Sequence, residues 1–300
     1  MQFDFNQCTL CPRNCRANRN QITGFCGAGN KIKIARASLH FWEEPCISGV
    51  NGSGAVFFSG CNLQCCFCQN YQISSQNFGL EITPKRLAEI FLELQEQNAH
   101  NINLVTATHY LPLLIPALEL IKHKLTIPVI YNTSSYEFAE NLRMLDGFID
   151  IYLPDFKFFS SQTAKLYANA PDYPEIAEKA ISEMIRQTGM PVFDSEHKLL
   201  KKGCMIRHLV MPSHRHESIK LLHFLAENFD KQQFLLSLMA QYTPMQKSNH
   251  FPELNRHVTK MEYDSVLKIA QNLGFSGYSQ DKSSADSNYT PDFNLQGVIK

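Results

Sequence analysis

Six short apolar runs, AVFFS, INLV, IPVIYN, FIDIYL, MIRHLVM and FLLSLM, recur along the chain with helical patterns between them. They are rich in Val, Ile and Phe and lack a polar alternation, so each reads as a strand buried on both faces. The helical pattern is plainest in TPKRLAEIFLELQEQN, where Leu87, Ile90, Phe91 and Leu94 share one face. Thr83 stands there as N-cap and Pro84 suits the first turn. Further helices are expected at 111–123, 136–144, 173–188, 216–228 and near 260–273. In the last, Thr259 and Glu262 are spaced for a capping box and Gly274 for a stop. Strand and helix in alternation call for an α/β fold of parallel βα units. The pattern alone allows either a partial barrel or an open doubly wound sheet. No G-x-G-x-x-G follows the first strand, which removes the dinucleotide signature.

Composition narrows the function classes. Lys and Arg total 28, Asp and Glu total 28, and the formal net charge is zero. Neither a nucleic-acid footprint nor a polybasic membrane patch is expected from that balance. MQFDFNQCTL lacks the basic start and apolar run of a signal peptide. The most apolar stretch, YLPLLIPALELI, holds two prolines and a glutamate and is too short to span a bilayer. A soluble, cytoplasmic protein is the expectation. The chain divides into a Cys-rich metal-binding N-terminal extension (1–50), a core (51–280) and a polar, extended or partly disordered C-terminal tail (281–300).

Nine of the ten cysteines lie within the first 68 residues. Clumping at gaps of two and three residues suits metal ligation better than disulfide stapling. Directly after AVFFS, the loop SGCNLQCCFCQN carries Cys61, Cys65 and Cys68 as C-x3-C-x2-C. Three close thiolates can wrap one corner of a 4Fe–4S cluster and leave one iron open. Cys66 adjoins Cys65, and neighbours in an extended loop point in opposite directions, so it is not expected to supply a fourth ligand. Zinc sites prefer paired C-x2-C gaps, which this loop does not offer. Upstream, Cys8, Cys11, Cys15 and Cys26 form a second four-thiol set in a core-poor segment. A structural zinc is the default reading, with a second iron–sulfur cluster as the alternative. Cys46 and Cys204 stand apart and read as small buried hydrophobes.

The loop, with aromatic Phe67 before its last cysteine, resembles the signature of the radical S-adenosylmethionine (SAM) superfamily. WEEPCISG, NINLVTATHY, YNTSSYE, DIYLPDFK, IRHLVMP, MAQYTP, PELNR and YTPDF resemble its pyruvate formate-lyase activating enzyme-like members. The resemblance implies a partial (βα)6 TIM-like barrel with a 4Fe–4S cluster and SAM as cofactors. It implies an oxidoreductase in which the reduced cluster splits SAM to a 5′-deoxyadenosyl radical that abstracts hydrogen. An electron donor such as flavodoxin or ferredoxin is implied as a partner. So is a protein substrate, if the task is installing a glycyl radical. Modification of a small molecule or another protein, or mere electron transfer, are the alternatives. Phe67 is placed to pack near adenine, with a plain core aromatic as the other reading. Asn132, Thr133 and Ser134 end IPVIY and offer groups for ribose or carboxylate, or caps for the next helix. Asp155 and Lys157 match an Asp-x-Lys of the related group and are expected at the SAM carboxylate or a cation site; a structural ion pair is the other reading. Arg207 could pair with a SAM carboxylate. Gln241 and Tyr242 point to the same mouth. Thr106, Thr108 and His109 replace the superfamily's Gly-Gly-Glu segment, and His214 and His216 read as solvated loop residues.

Overall fold

The computed structural model describes residues 3–280 and 291–299. Among the described residues, ten strands form one sheet: β1 (Ile32–His40), β2 (Ser53–Phe58), β3 (Leu80–Ile82), β4 (Ile102–Val105), β5 (Val129–Thr133), β6 (Ile151–Pro154), β7 (Val192–Phe193), β8 (Leu200–Leu209), β9 (Leu235–Met239) and β10 (Gly277–Ser279). Their order is β10-β9-β8-β6-β5-β4-β2-β1-β3, with β7 paired to β8 off this path. From β2 through β4, β5, β6, β8 and β9 to β10 every pairing is parallel. The six apolar runs are six of these seven strands. The seventh, β10, is the short GYS, which has no apolar run to announce it. The sheet stays open, with β10 and β3 as its edges, so the α/β expectation resolves to a partial barrel.

Alternation along each strand builds two cores. In β5, Tyr131 packs outward under the helices, whereas Ile130 faces the lumen. The helix Pro84–Glu96 lays Leu87, Ile90, Phe91 and Leu94 against the outer face, and Thr83 accepts the Arg86 N–H at 3.1 Å as its cap. Each such side chain, fully buried, contributes roughly 1.5–3 kcal/mol. The helix Lys260–Asn272 begins in the expected Thr259–Glu262 capping box. The expected helix at 136–144 shrinks to Ala139–Leu142 plus a 3-10 turn, because residues 134–138 are spent shaping the strand end.

The lumen is closed from below by the segment after β1. Cys46 and Ile47 plug it, packing on Ile130, Ile151, Met205 and Leu235. Because β1 pairs antiparallel with β2, the chain of the 1–50 extension enters the sheet itself from Ile32 onward. The 281–300 tail is also partly structural. Residues 281–290 lie outside the described residues, but 291–299 run along β1, where Leu295 N–H donates to Ala35 O and Ala37 N–H to Gln296 O. They pair the stretch of β1 that β3 leaves bare, and Phe293 packs on Phe57 at 5.5 Å between ring centroids.

Candidate functional site

The C-terminal ends of the parallel strands surround an open cavity of about 210 Å³. Cys61, Cys65 and Cys68 line it, and so do Phe67, Asn132, Ser134, Asp155 and Lys157. Thr106, Thr133, Arg207, Gln241 and Tyr242 join them. Cys66 is absent from the lining. Its amide donates to Tyr167 O at 2.8 Å, and its thiol faces the charges of Glu253 and Lys247 instead.

The cysteine loop is bent by specific backbone choices. Gly60 adopts φ +88, and a Cβ there would sit 2.3 Å from the carbonyl oxygen of Cys26. Only glycine allows that approach. Cys68 N–H donates to Cys65 O at 3.2 Å, and Ser74 Oγ donates to the Cys68 Sγ at 3.2 Å. Burial drives the thiols of Cys65 and Cys68 up, Cys65 strongly, with Lys157 opposing it in both cases. Gly60→Ala is therefore expected to displace the loop. Circular dichroism should show the fold retained and iron uptake should fall at least about fivefold; uptake at the wild-type level would contradict this account of the loop.

A buried ion network forms the cavity floor. Lys157 Nζ donates to Asp155 Oδ2 at 2.6 Å. Arg207 donates from Nε to Asp155 Oδ1 (2.9 Å), from Nη1 to Glu43 Oε2 (3.2 Å) and from Nη2 to Asn132 Oδ1 (2.6 Å). Three of the five N–H donors of Arg207 are held by the protein, and the residue lines the cavity, so two donors remain for the expected ligand carboxylate. The ion pair foreseen as the alternative for Asp155 and Lys157 exists, and both residues also line the cavity. Burial opposes the Asp155 charge, yet Arg207 and Lys157 hold its carboxyl below the usual range. Glu43 and Glu44 are pushed up by burial, against the pull of Arg207. Neither acid was singled out from sequence; the adjacent pair just past a strand, in WEEP, was the available signal.

Asn132, Thr133 and Ser134 do not cap the next helix, whose N-cap is Phe138 with no side-chain bond. Phe67 sits in an aromatic wall, with ring centroids 5.9 Å from Phe158 and 6.0 Å from Tyr242. Gln69 Nε2 donates to Gln241 O at 2.9 Å, tying the cysteine loop to the end of β9. Thr106 reaches the cavity, but Thr108 and His109 lie behind it. His109 Nε2 pairs with Ser59 O at 2.8 Å, and burial lowers its pKa to about 4. His214 is not a solvated loop residue: it is half-buried, and its Nε2 meets the Tyr167 hydroxyl at 3.2 Å. His216 is exposed as expected but lies in the helix Arg215–Asn228 rather than a loop, and Cys46 and Cys204 are buried.

Residues 55–225, more than half of the chain, match the family model described as the Radical SAM superfamily. The chain belongs to this superfamily. Membership implies an enzyme that uses a 4Fe–4S cluster and SAM. An uncharacterized protein of Methanocaldococcus jannaschii is 31% identical over 282 residues, covering 89% of this chain and 75% of that protein. A radical SAM methyltransferase from Sphaerobacter thermophilus shares the fold at a TM-score of 0.52 and 10% identity, over 79% of this chain and 70% of that one. SuiB of Streptococcus suis, bound to its precursor peptide SuiA, aligns at 14% identity and a TM-score of 0.48 over 74% of this chain. The present chain spans 46% of SuiB's length. No helix among the described residues is long and apolar enough to cross a membrane.

The residues present fit the implied cofactors. Three thiols on one cavity wall suit a cluster with one iron left for another ligand. No group of three or more His, Cys, Asp or Glu among the described residues is placed to hold a metal ion. A single ion needs its ligands to converge on one point, whereas a cubane spreads its thiolates over separate irons.

Proposed function

We propose that this chain cleaves SAM reductively, with Cys61, Cys65 and Cys68 as the cluster ligands, and that the 5′-deoxyadenosyl radical abstracts hydrogen from a substrate. The carrying observation is that these three cysteines share the cavity while Cys66, in the same loop, is turned out of it. When bound, the cluster supplies one electron to the sulfonium and an open iron for the amino and carboxylate groups of SAM. The chain's own residues position and shield. Lys157 has one of its three N–H donors committed to Asp155, leaving donors for a carboxylate beside Cys65. Asn132 and Ser134 stand at the strand end for hydroxyl groups, and Phe67 offers a ring face to adenine. Phe57, Phe67 and Tyr242 give the cavity apolar walls that limit water. A flavodoxin or ferredoxin in the cytosol is the fitting electron donor.

The task that the sequence resemblance favours is installing a glycyl radical on a partner protein; modifying another protein or a small molecule is the alternative. Anaerobic incubation of reconstituted, reduced protein with SAM should yield 5′-deoxyadenosine and methionine. Absence of both would reduce the chain to an electron carrier. A glycine-centred electron paramagnetic resonance (EPR) signal on an added partner would establish the activase task, and 5′-deoxyadenosine without it would favour the alternative.

A further inference from the structure

The radical site leaves Cys8, Cys11, Cys15 and Cys26 unused, and they lie upstream of the residues that match the superfamily. In the fold these four thiols meet. The thiols of Cys15 and Cys8 lie close enough to act on one another, and Cys26 feels the charges of Cys8 and Cys15. The Sγ atoms of Cys15 and Cys26 lie 3.4 and 3.7 Å from the point where a Cβ on Gly24 would stand. Cys11 faces Cys26 and Cys8 in the same way. Cys8, Cys11 and Cys26 are buried and Cys15 is exposed. Residues 3–30 hold no helix or strand that would gather these thiols for packing alone.

Several hydrogen bonds fasten the lobe to the cysteine loop, and others tie it to Ala168, His109, Asn77 and Asn141. Cys61 N–H donates to Cys26 O at 3.0 Å, so one hydrogen bond joins a cysteine of each set. Gln64 Nε2 donates to Phe25 O at 2.7 Å. Arg13, between Cys11 and Cys15, donates from Nε to Asn62 O at 2.7 Å and from Nη2 to Leu63 O at 3.1 Å. Gly60 takes its φ of +88 at the place where Cys26 O passes. A redox group held there would be coupled to the cysteine loop, because the path from the Cys26 side chain to that of Cys61 runs through two residues and one hydrogen bond.

We propose that Cys8, Cys11, Cys15 and Cys26 hold a second, fully cysteine-ligated 4Fe–4S cluster that relays electrons to the radical site. A tetrahedral zinc ion would need all four sulfurs within about 2.3 Å of one point, whereas a cubane takes each thiolate on a separate iron. A low-potential one-electron donor protein reduces this cluster. The reduced cluster then passes that electron to the oxidised cluster at Cys61, Cys65 and Cys68 and returns to its oxidised state, with no bond made or broken. The relay, though not the second cluster, rests on the function proposed above.

The test is anaerobic reconstitution of the full chain and of its Cys61, Cys65, Cys68→Ala triple variant. The triple variant should keep about four irons and four sulfides, half of the wild-type content. It should also show a reduced-cluster EPR signal that SAM leaves unchanged. Zinc without sulfide, or no metal, in the triple variant would overturn the proposal. Wild type with only four irons, all kept by the triple variant, would instead sink the radical-site reading and leave this one standing. In a Cys8→Ser, Cys15→Ser double variant, the rate of SAM cleavage with reduced flavodoxin, divided by the rate with dithionite, should fall at least tenfold. An unchanged ratio would overturn the relay.

Discussion

Substituting Cys61, Cys65 or Cys68 singly by Ala is expected to lower 5′-deoxyadenosine formation by on the order of a thousandfold, a barrier increase of about 4 kcal/mol. Each of the three thiols is a separate attachment for a cubane, so losing one leaves an iron to water or to loss. The loop cannot substitute from within, because the Cys66 backbone is tied by its N–H to Tyr167 O and its thiol lies outside the cavity lining. Cys66→Ala should accordingly stay within about threefold of wild type. Iron and sulfide analysis alongside product chromatography checks both statements. Near-normal turnover in any of the three single variants, or a collapse in Cys66→Ala with the fold intact, would show that the ligand set is wrongly drawn.

The barrel strands were legible because burial on both faces writes itself as an unbroken apolar run, as in INLV and FLLSLM. Helix ends were legible where a side chain caps them, as Thr83 and Thr259 do. What escaped has a physical cause in each case. β10 is three residues long and lies at an open edge, with little apolar surface to bury. The stretch 291–299 is polar in composition, but its hold on β1 runs largely through backbone hydrogen bonds, which composition does not record. At the site, the cysteine loop, Asn132, Asp155 and Lys157 were marked by position at strand ends. Glu43 and Glu44 were not, because they come from the segment that plugs the lumen from below. No local pattern says that residues following β1 will meet Asn132 and Arg207 on β5 and β8.

That plug makes Arg207 the residue whose loss should cost most in stability. Its guanidinium is buried among Glu43, Glu44 and Asp155, with Lys157 the other cation of the network. Arg207→Met keeps much of the volume but strands carboxylates away from water, and breaking such a buried set typically costs about 3–5 kcal/mol. The sign of the pH dependence follows from the same groups. In the folded variant, the carboxyls of Glu43 and Glu44 lose the guanidinium that opposes their burial, so they titrate further above their unfolded values near about 4, while Lys157 still holds Asp155. The folded state then binds more protons than the unfolded state over that interval, and stability falls as pH rises through it. The deficit of Arg207→Met against wild type, measured by urea denaturation, should thus be larger at pH 8 than at pH 5. Arg207→Lys should recover part of the stability by restoring charge, but not all, since an ammonium cannot fork between Asp155, Glu43 and Asn132. A deficit that shrank with rising pH would mean that the acids at this floor are not held by Arg207 at all.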